Sequence, residues 1–249
     1  MTAERDLTCF VADVHLGLDV KDPERREKRF ISFLRSIPAE RTETLYLLGD
    51  IWDFWFEYRD VVPKTGTMVL KALMELMDKG VRVKFFPGNH DLWCFSYFEE
   101  IGMEKLTQPY VTEIGGKTFC IGHGDALGPG ETGYKLLKKL FNAKWLQKMF
   151  AGLPPSWAFS LGRKWSTSSR LAKNLREDFR GHDEPLYKFA ASYPGKVDYF
   201  IFGHRHCDVD IKLPSGARLI ILNDWIDGDS YRYFSGIFGL GGSSQKIEK

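Results

Sequence analysis

Several classes of protein are excluded by what the chain lacks. No run as long as about 18 uncharged apolar residues occurs, so no membrane-spanning helix is expected. The opening "MTAERDLTCFVADVH" has no long apolar core, so no secretory signal is expected. Cysteine is scarce: Cys9, Cys94, Cys120 and Cys207 show no CxxC spacing. That excludes a disulfide scaffold and suggests buried thiols in a reducing compartment. An excess of one charge is missing as well. Thirty-five basic against 33 acidic residues leave a net charge of +2, which names no partner. Histidine is sparse too, but its placement is not random. Of six, all but His182 fall in short clusters with Gly, Asp or Asn.

What is present is a repeated pattern. A short apolar run ends in a turn of Gly, Asp, His or Asn. This happens in "LTCFVADVH" (7–15), "TLYLLGDIWD" (44–53), "VRVKFFPGNHD" (81–91), "KTFCIGHGD" (117–125) and "VDYFIFGHRH" (197–206). Such runs are buried-strand signals. Helical periodicity separates several of them. "PERREKRFISFLRSI" places Phe30, Ile31, Phe33, Leu34 and Ile37 on one side, and "TMVLKALMELMDKG" ends on Gly80 as a C-cap. Alternating strands and helices predict an α/β fold with strand C-termini gathered at one edge, where sites form. "DVDIKL" and "RLIILNDW" read as further strands joined by a hairpin-like "LPSGA", and "SYRYFSGIF" as another. The tail "GLGGSSQKIEK" reads as frayed. The length suits one domain over 1–249.

Residues 134–181 read as a helical insert within it. They hold eleven Lys or Arg against Glu177 and Asp178, and eight aromatics. Tyr134, Leu136, Leu137, Leu140 and Phe141 share one helical face. Past Asn142 the apolar side turns by about half a revolution, to Trp145, Leu146, Met149 and Phe150. Either the helix breaks near 142–144 or its two ends contact different things.

The clusters suggest metal ligands. "DVH" offers Asp13 and His15, on one side if the segment stays extended. "GDIWD" offers Asp50 and Asp53, and "GNHD" offers Asn89, His90 and Asp91. "GHGD" offers His123, and "GHRH" offers His204 and His206. Mixed His, Asp and Asn donors suit Mn²⁺, Fe²⁺, Co²⁺ or Zn²⁺. So many ligands exceed one tetrahedral ion and fit two ions sharing a carboxylate, an arrangement used for in-line attack on phosphorus. Taken singly, each has a plainer reading as a turn former or core polar residue, and His182 is given no role.

In that order and spacing the motifs resemble the calcineurin-like metallophosphoesterase superfamily. The resemblance implies a two-sheet β-sandwich flanked by helices and a dinuclear site, most naturally with Mn²⁺. It places one ion on Asp13, His15, Asp50 and His206, and the other on Asp50, Asn89, His123 and His204. It makes His90 the residue that stabilises the transition state or protonates the leaving oxygen, oriented by Asp53. Arg205 points away.

The segment "HGDALGPGETGYKLLKKLFNAKWLQKMF" narrows the match. It is similar to the region after the fourth motif in UDP-2,3-diacylglucosamine hydrolases, and "LNDW" resembles a motif after their last strands. The resemblance implies cleavage of a lipid-linked nucleotide sugar to UMP and a lipid monophosphate in lipid A synthesis. It also implies a cytoplasmic protein lying peripherally on the inner face of the bacterial inner membrane. Glu131, Tyr134, Ser166, Ser168, Arg170 and Lys173 fall where that group contacts substrate. A basic, aromatic-rich insert suits an anionic membrane surface and acyl chains better than nucleic acid. The chain departs from the group at His90, where the proteobacterial hydrolases carry Arg. A nuclease or other phosphodiesterase, and a non-catalytic module on the same fold, remain the alternatives. Oligomeric state is not legible.

Overall fold

The computed structural model describes residues 5–130, 132–172 and 179–246, apart from the side chains of 163, 165, 167–172 and 243–246. Two mixed sheets stack face to face. The first contains β1 (Leu7–Val11), β2 (Thr42–Leu47), β3 (Arg82–Phe85), β4 (Glu104–Lys105), β10 (Gly228–Ser235) and β11 (Gly239–Lys246), in the order β11-β10-β1-β2-β3-β4. The second contains β5 (Tyr110–Ile114), β6 (Lys117–Ile121), β7 (Tyr199–Phe202), β8 (Val209–Lys212) and β9 (Arg218–Ile221), in the order β5-β6-β7-β9-β8. Strands β1 to β4 run parallel, as do β6, β7 and β9. The α/β expectation and the two-sheet layering both hold.

The apolar runs of the sequence follow from this layering. Each central strand is covered on both faces, so it reads as a continuous hydrophobic stretch. In β1, Phe10 points between the sheets, where it stacks on Tyr46 and Phe119. Cys9 and Val11 point the other way. There they meet α1 (Pro23–Ser36) and α2 (Thr67–Asp78), through Phe30, Leu34, Val69 and Leu73. Asp22 caps α1 by accepting from the Arg25 N–H at 2.9 Å, with Pro23 at the first helical position. The outer face of the second sheet is covered by α7 (Pro185–Ala191), through Leu186 and Ala190. The short α3 (Tyr97–Glu100) buries Phe98 against Trp52 and Trp55.

The insert contains α4 (Thr132–Phe141), α5 (Lys144–Ala151) and α6 (Pro155–Ala172). The helix does break, at Asn142 and Ala143, where the apolar pattern changes side. After the break, Phe150 packs on Phe56 and Trp93 at ring distances of 4.7 and 4.6 Å. The tail corrects the sequence expectation. Residues 239–246 are not frayed but form β11, antiparallel to β10. Strand β10 offers an edge of unpaired backbone, and backbone pairing needs no apolar alternation.

Candidate metal centre

Five chain segments leave the C-terminal ends of β1, β2, β3, β6 and β7 and converge. Their side chains do not meet by strand alternation. Asp13, His15, Asp50, His204 and His206 all have positive φ, between 49° and 70°. They account for five of the seven non-glycine residues in that conformation among the described residues. This corrects the expectation that Asp13 and His15 share a side as extended backbone, and His204 and His206 depart from extended backbone in the same way. Left-handed residues are uncommon outside glycine and cost free energy unless the surroundings hold them. Here the holding contacts are visible. One oxygen of each key carboxylate is tied by a backbone N–H from a distant motif. His204 N donates to Asp13 Oδ2 at 2.8 Å, and His90 N donates to Asp50 Oδ1 at 2.8 Å. The glycines before these motifs serve the same approach. A Cβ on Gly88 would overlap Asp50 Oδ1, and one on Gly203 would overlap Asp13 Oδ2.

Asp91 clasps two of the segments together. Its fully buried carboxylate accepts from the N–H groups of Gly88, Asp50, Ile51 and Trp52 at 2.7 to 3.3 Å. Burial, then the nearby Asp50 charge, push its carboxyl up to about 7.

The other carboxylate oxygens face a ring of imidazoles. Asp13 Oδ1 lies 3.2 Å from His206 Nε2 and 3.6 Å from His15 Nε2. Asp50 Oδ2 lies 3.4 Å from His123 Nε2. Asn89 Oδ1 sits 3.2 Å from His123 Nε2 and 2.9 Å from His204 Nδ1. The outward nitrogens face acceptors. His123 Nδ1 is 2.8 Å from the Leu48 carbonyl, His15 Nδ1 3.3 Å from Asp53 Oδ1, and His206 Nδ1 3.4 Å from Asp224 Oδ2. Carbonyls and carboxylates only accept, so the proton belongs on Nδ1 and the Nε2 lone pair is turned inward.

The donor set fits two cations. His15 Nε2 and His206 Nε2 face each other at 3.2 Å, and the buried Asp13 Oδ1 accepts no hydrogen bond from the described residues. Two inward lone pairs and a carboxylate oxygen at such distances repel unless positive charge lies among them. Asp13, His15, Asp50 and His206 form one group whose donor atoms lie within 4.8 Å of one another. Asp50, His123 and His204 form a second, to which Asn89 adds its oxygen. Asp50 belongs to both. Burial, reinforced by the neighbouring His123, pushes His204 down to about 3 and leaves it a neutral donor. Asp50 is held well below the ordinary carboxylate range. Burial opposes this, and the attraction of His123 and then His90 in their protonated forms overcomes it, an attraction that a bound cation would supply in their place.

His90 stands at the mouth of the cluster. Its Nδ1 is 2.9 Å from the Asp53 carbonyl and 3.3 Å from Ser166 Oγ, and its Nε2 is 4.0 Å from Asp50 Oδ2. Asp53 thus meets His90 Nδ1 with its carbonyl and, at 3.6 Å, with its carboxylate Oδ1, the same oxygen that faces His15. Arg205 turns to Glu184 Oε1 at 2.9 Å, away from the donors. His182 stacks on Tyr187, outside the cluster.

From the donors a cavity of about 490 Å³ runs under the insert. Asn89, His90 and His204 form its polar end, and Trp93, Leu137, Phe141, Phe150 and Leu161 line its apolar length. Tyr134 and Ser166 line it too. The side chains of Ser168 and Arg170, and the whole of Glu131 and Lys173, lie outside the described residues. Asp53 and Phe54 also border a second cavity of about 400 Å³, with Leu16, Thr65, Ser156 and Phe159.

The family model of the calcineurin-like phosphoesterases matches residues 8–208, which span all five convergent segments. The chain belongs to the calcineurin-like phosphoesterase family. A protein named UDP-2,3-diacylglucosamine hydrolase from Porphyromonas gingivalis is 34% identical over 250 residues, covering 93% of this chain and 95% of that one. Proteins of the same name from Neisseria gonorrhoeae and Serratia proteamaculans are 30% and 28% identical. Each is covered by 88% of this chain, over 94% and 90% of its own length respectively. Membership of this phosphoesterase family and the donor set make the chain a metal-dependent hydrolase.

Sequence reading offered Asp91 as a candidate ligand, whereas its carboxylate is taken up by four backbone N–H groups behind the donors, and it gave no role to Asp125 or Asp224. Asp91 and Asp125 each follow a ligand motif, and Asp224 lies in "LNDW", so the signal was an acidic residue beside a motif. What it contacts depends on segments far away in the chain.

Proposed function

We propose that the chain is one domain over 1–249 that hydrolyses the pyrophosphate of UDP-2,3-diacylglucosamine. The products are UMP and 2,3-diacylglucosamine 1-phosphate, a step of lipid A biosynthesis, and 134–181 form the lid over the lipid. The observation that carries this reading is the cavity. It joins a polar, metal-competent end to an apolar groove, as a substrate with a phosphate centre and acyl tails requires. The names of the relatives point the same way.

In this reading Asp13, His15, Asp50 and His206 hold one divalent ion and Asp50, Asn89, His123 and His204 the other, with Mn²⁺ the assigned metal. Such a pair supplies Lewis acidity and neutralises charge at the scissile phosphorus. The remaining chemistry belongs to side chains. Water oxygen bonds to the phosphorus of the UMP half while the bond to the bridging oxygen breaks. His90 serves that leaving oxygen. Its Nδ1 is engaged by the Asp53 carbonyl, so Nε2 is the atom that gives the proton or stabilises the charge. Asp53 orients His90 through its carbonyl and its carboxylate, and His15 through the same carboxylate. Tyr134 and Ser166 bind substrate from the lid, together with Glu131, Ser168, Arg170 and Lys173.

The same lid supports a peripheral position on the inner face of the cytoplasmic membrane. No helix among the described residues is long and apolar enough to cross a membrane. Leu136, Trp145 and Met149 are nevertheless exposed, on helices that also carry Lys135, Lys139, Lys144 and Lys148, and Trp157 and Leu161 are exposed on α6, which carries Lys164. Apolar and basic residues on one element suit an anionic lipid surface. The test is UMP release, measured by chromatography, from the diacylated UDP sugar in detergent with Mn²⁺. Release of UMP together with the lipid monophosphate supports the reading. Cleavage of simple phosphodiesters alone rejects the substrate and keeps the chemistry.

A further inference from the structure

Helix α4 carries a cavity wall but has no buried residue of its own. Its cavity-facing residues are Tyr134, Leu137, Lys138 and Phe141, at the spacing of a single helical face. Burial of side chains therefore does little to fix where this face stands. Polar bonds take over that role, and two from the cavity face meet on one residue.

Asp125 is fully buried, two residues beyond His123. Its carboxylate accepts from Tyr134 Oη at 2.8 Å and from Lys138 Nζ at 2.6 Å. These two donors lie one turn apart on α4. Gln108 Nε2 donates to the same carboxylate at 2.6 Å and to the Asp125 carbonyl at 2.8 Å. Gln108 Oε1 in turn accepts from the Gly124 N–H at 2.7 Å. One side chain thus joins the segment before β5, the loop that bears His123, and the lid helix. Two other polar ties hold α4 at points away from Asp125. Lys135 Nζ reaches the Gly128 carbonyl at an exposed position, and Trp93 Nε1 donates to the Phe141 carbonyl at the far end.

We propose that Asp125 is a positioning residue that fixes the first turns of α4 over the substrate cavity, so that Tyr134 and Lys138 stand in register with the His123 loop. It does not touch substrate. Tyr134 and Lys138 are held by their polar tips while the same side chains line the cavity. Without the carboxylate, the Lys138 ammonium loses its counter-charge in a half-buried position, and the helix gains by swinging it to water. The apolar wall formed by Leu137 and Phe141 moves with it.

This inference rests on the lipid half lying under the insert, and the test separates the two ideas. Asp125→Asn keeps the shape and removes the charge. With metal content held at the wild-type level, the variant should raise KM for the diacylated UDP sugar by about tenfold or more. Turnover of a short diester, bis(p-nitrophenyl) phosphate, should stay within about threefold. Tryptic cleavage of the substrate-free enzyme within 135–148 should accelerate. Equal losses on both substrates would mean that Asp125 acts only on the His123 loop and would overturn the proposal, as would unchanged KM and unchanged cleavage. If the wild type ignores the diacylated substrate, the functional reading falls. Tryptic sensitivity then still decides the clasp, with faster cleavage upholding it and unchanged cleavage overturning it.

Discussion

The donor cluster and the insert are built on opposite principles. Asp13, His15, Asp50 and His123 are almost wholly buried, each held by contacts from segments far away in the chain. The insert exposes large apolar side chains, with Leu136 and Trp157 each 70% accessible, and neither α4 nor α5 has a buried residue. The first region stores local backbone cost in left-handed residues and recovers it through packing and hydrogen bonds. The second leaves apolar surface unburied, which a protein acting on lipid can use. Chemistry is thus placed where the fold is over-determined, and substrate choice where it is adjustable. Substitutions in the cluster should act on turnover or metal, and substitutions in the insert on what is bound.

The sharpest break in that division is at His90, which lies in the cluster but touches the insert through Ser166. His90→Ala should lower turnover by about 10²–10⁴-fold, the scale of a lost general acid. Both metals should remain, because His90 is absent from both proposed ligand sets. Elemental analysis beside single-turnover rates checks this. Metal loss on substitution would move His90 into the ligand shell.

A smaller effect is expected one contact behind the donors. Asp224 Oδ2 lies 3.4 Å from His206 Nδ1 and fixes which nitrogen points inward. Asp224→Asn should weaken metal affinity by about 10–100-fold, as for other residues that orient a ligand. Activity should recover when Mn²⁺ is raised, and titration of the metal-stripped enzyme reads the shift. Loss that excess metal does not restore would show that Asp224 acts on the fold instead.

Much of this was legible in the sequence, for a physical reason. Strands covered on both faces need unbroken apolar runs, and donors at their ends need polar turn residues, so the motifs mark themselves. The helix break at Asn142 was legible too, because the apolar face changes side there. What escaped were relations between distant segments. Nothing in "GNHD" says that Asp91 will collect four backbone N–H groups, nor does "HGD" say that Asp125 will meet Lys138. The left-handed conformations at Asp13 and His206 escaped because these residue types do not require them. Strand β11 escaped because "GLGGSSQK" has no apolar alternation, its partner being the backbone of β10.

The smallest effect tests the insert side of the comparison. Trp145 is 57% exposed, next to Lys144 on a helix without buried residues. If this surface meets lipid, Trp145→Ala removes an aromatic anchor and should lower partitioning onto anionic vesicles by about five- to tenfold, read by sedimentation. Raising salt should weaken wild-type binding as the lysines are screened, while leaving the aromatic contribution in place. The tryptophan and salt effects should therefore add. Partitioning that responds to salt alone would mean that Trp145 faces water and that the basic face, without the aromatics, holds the protein to the surface.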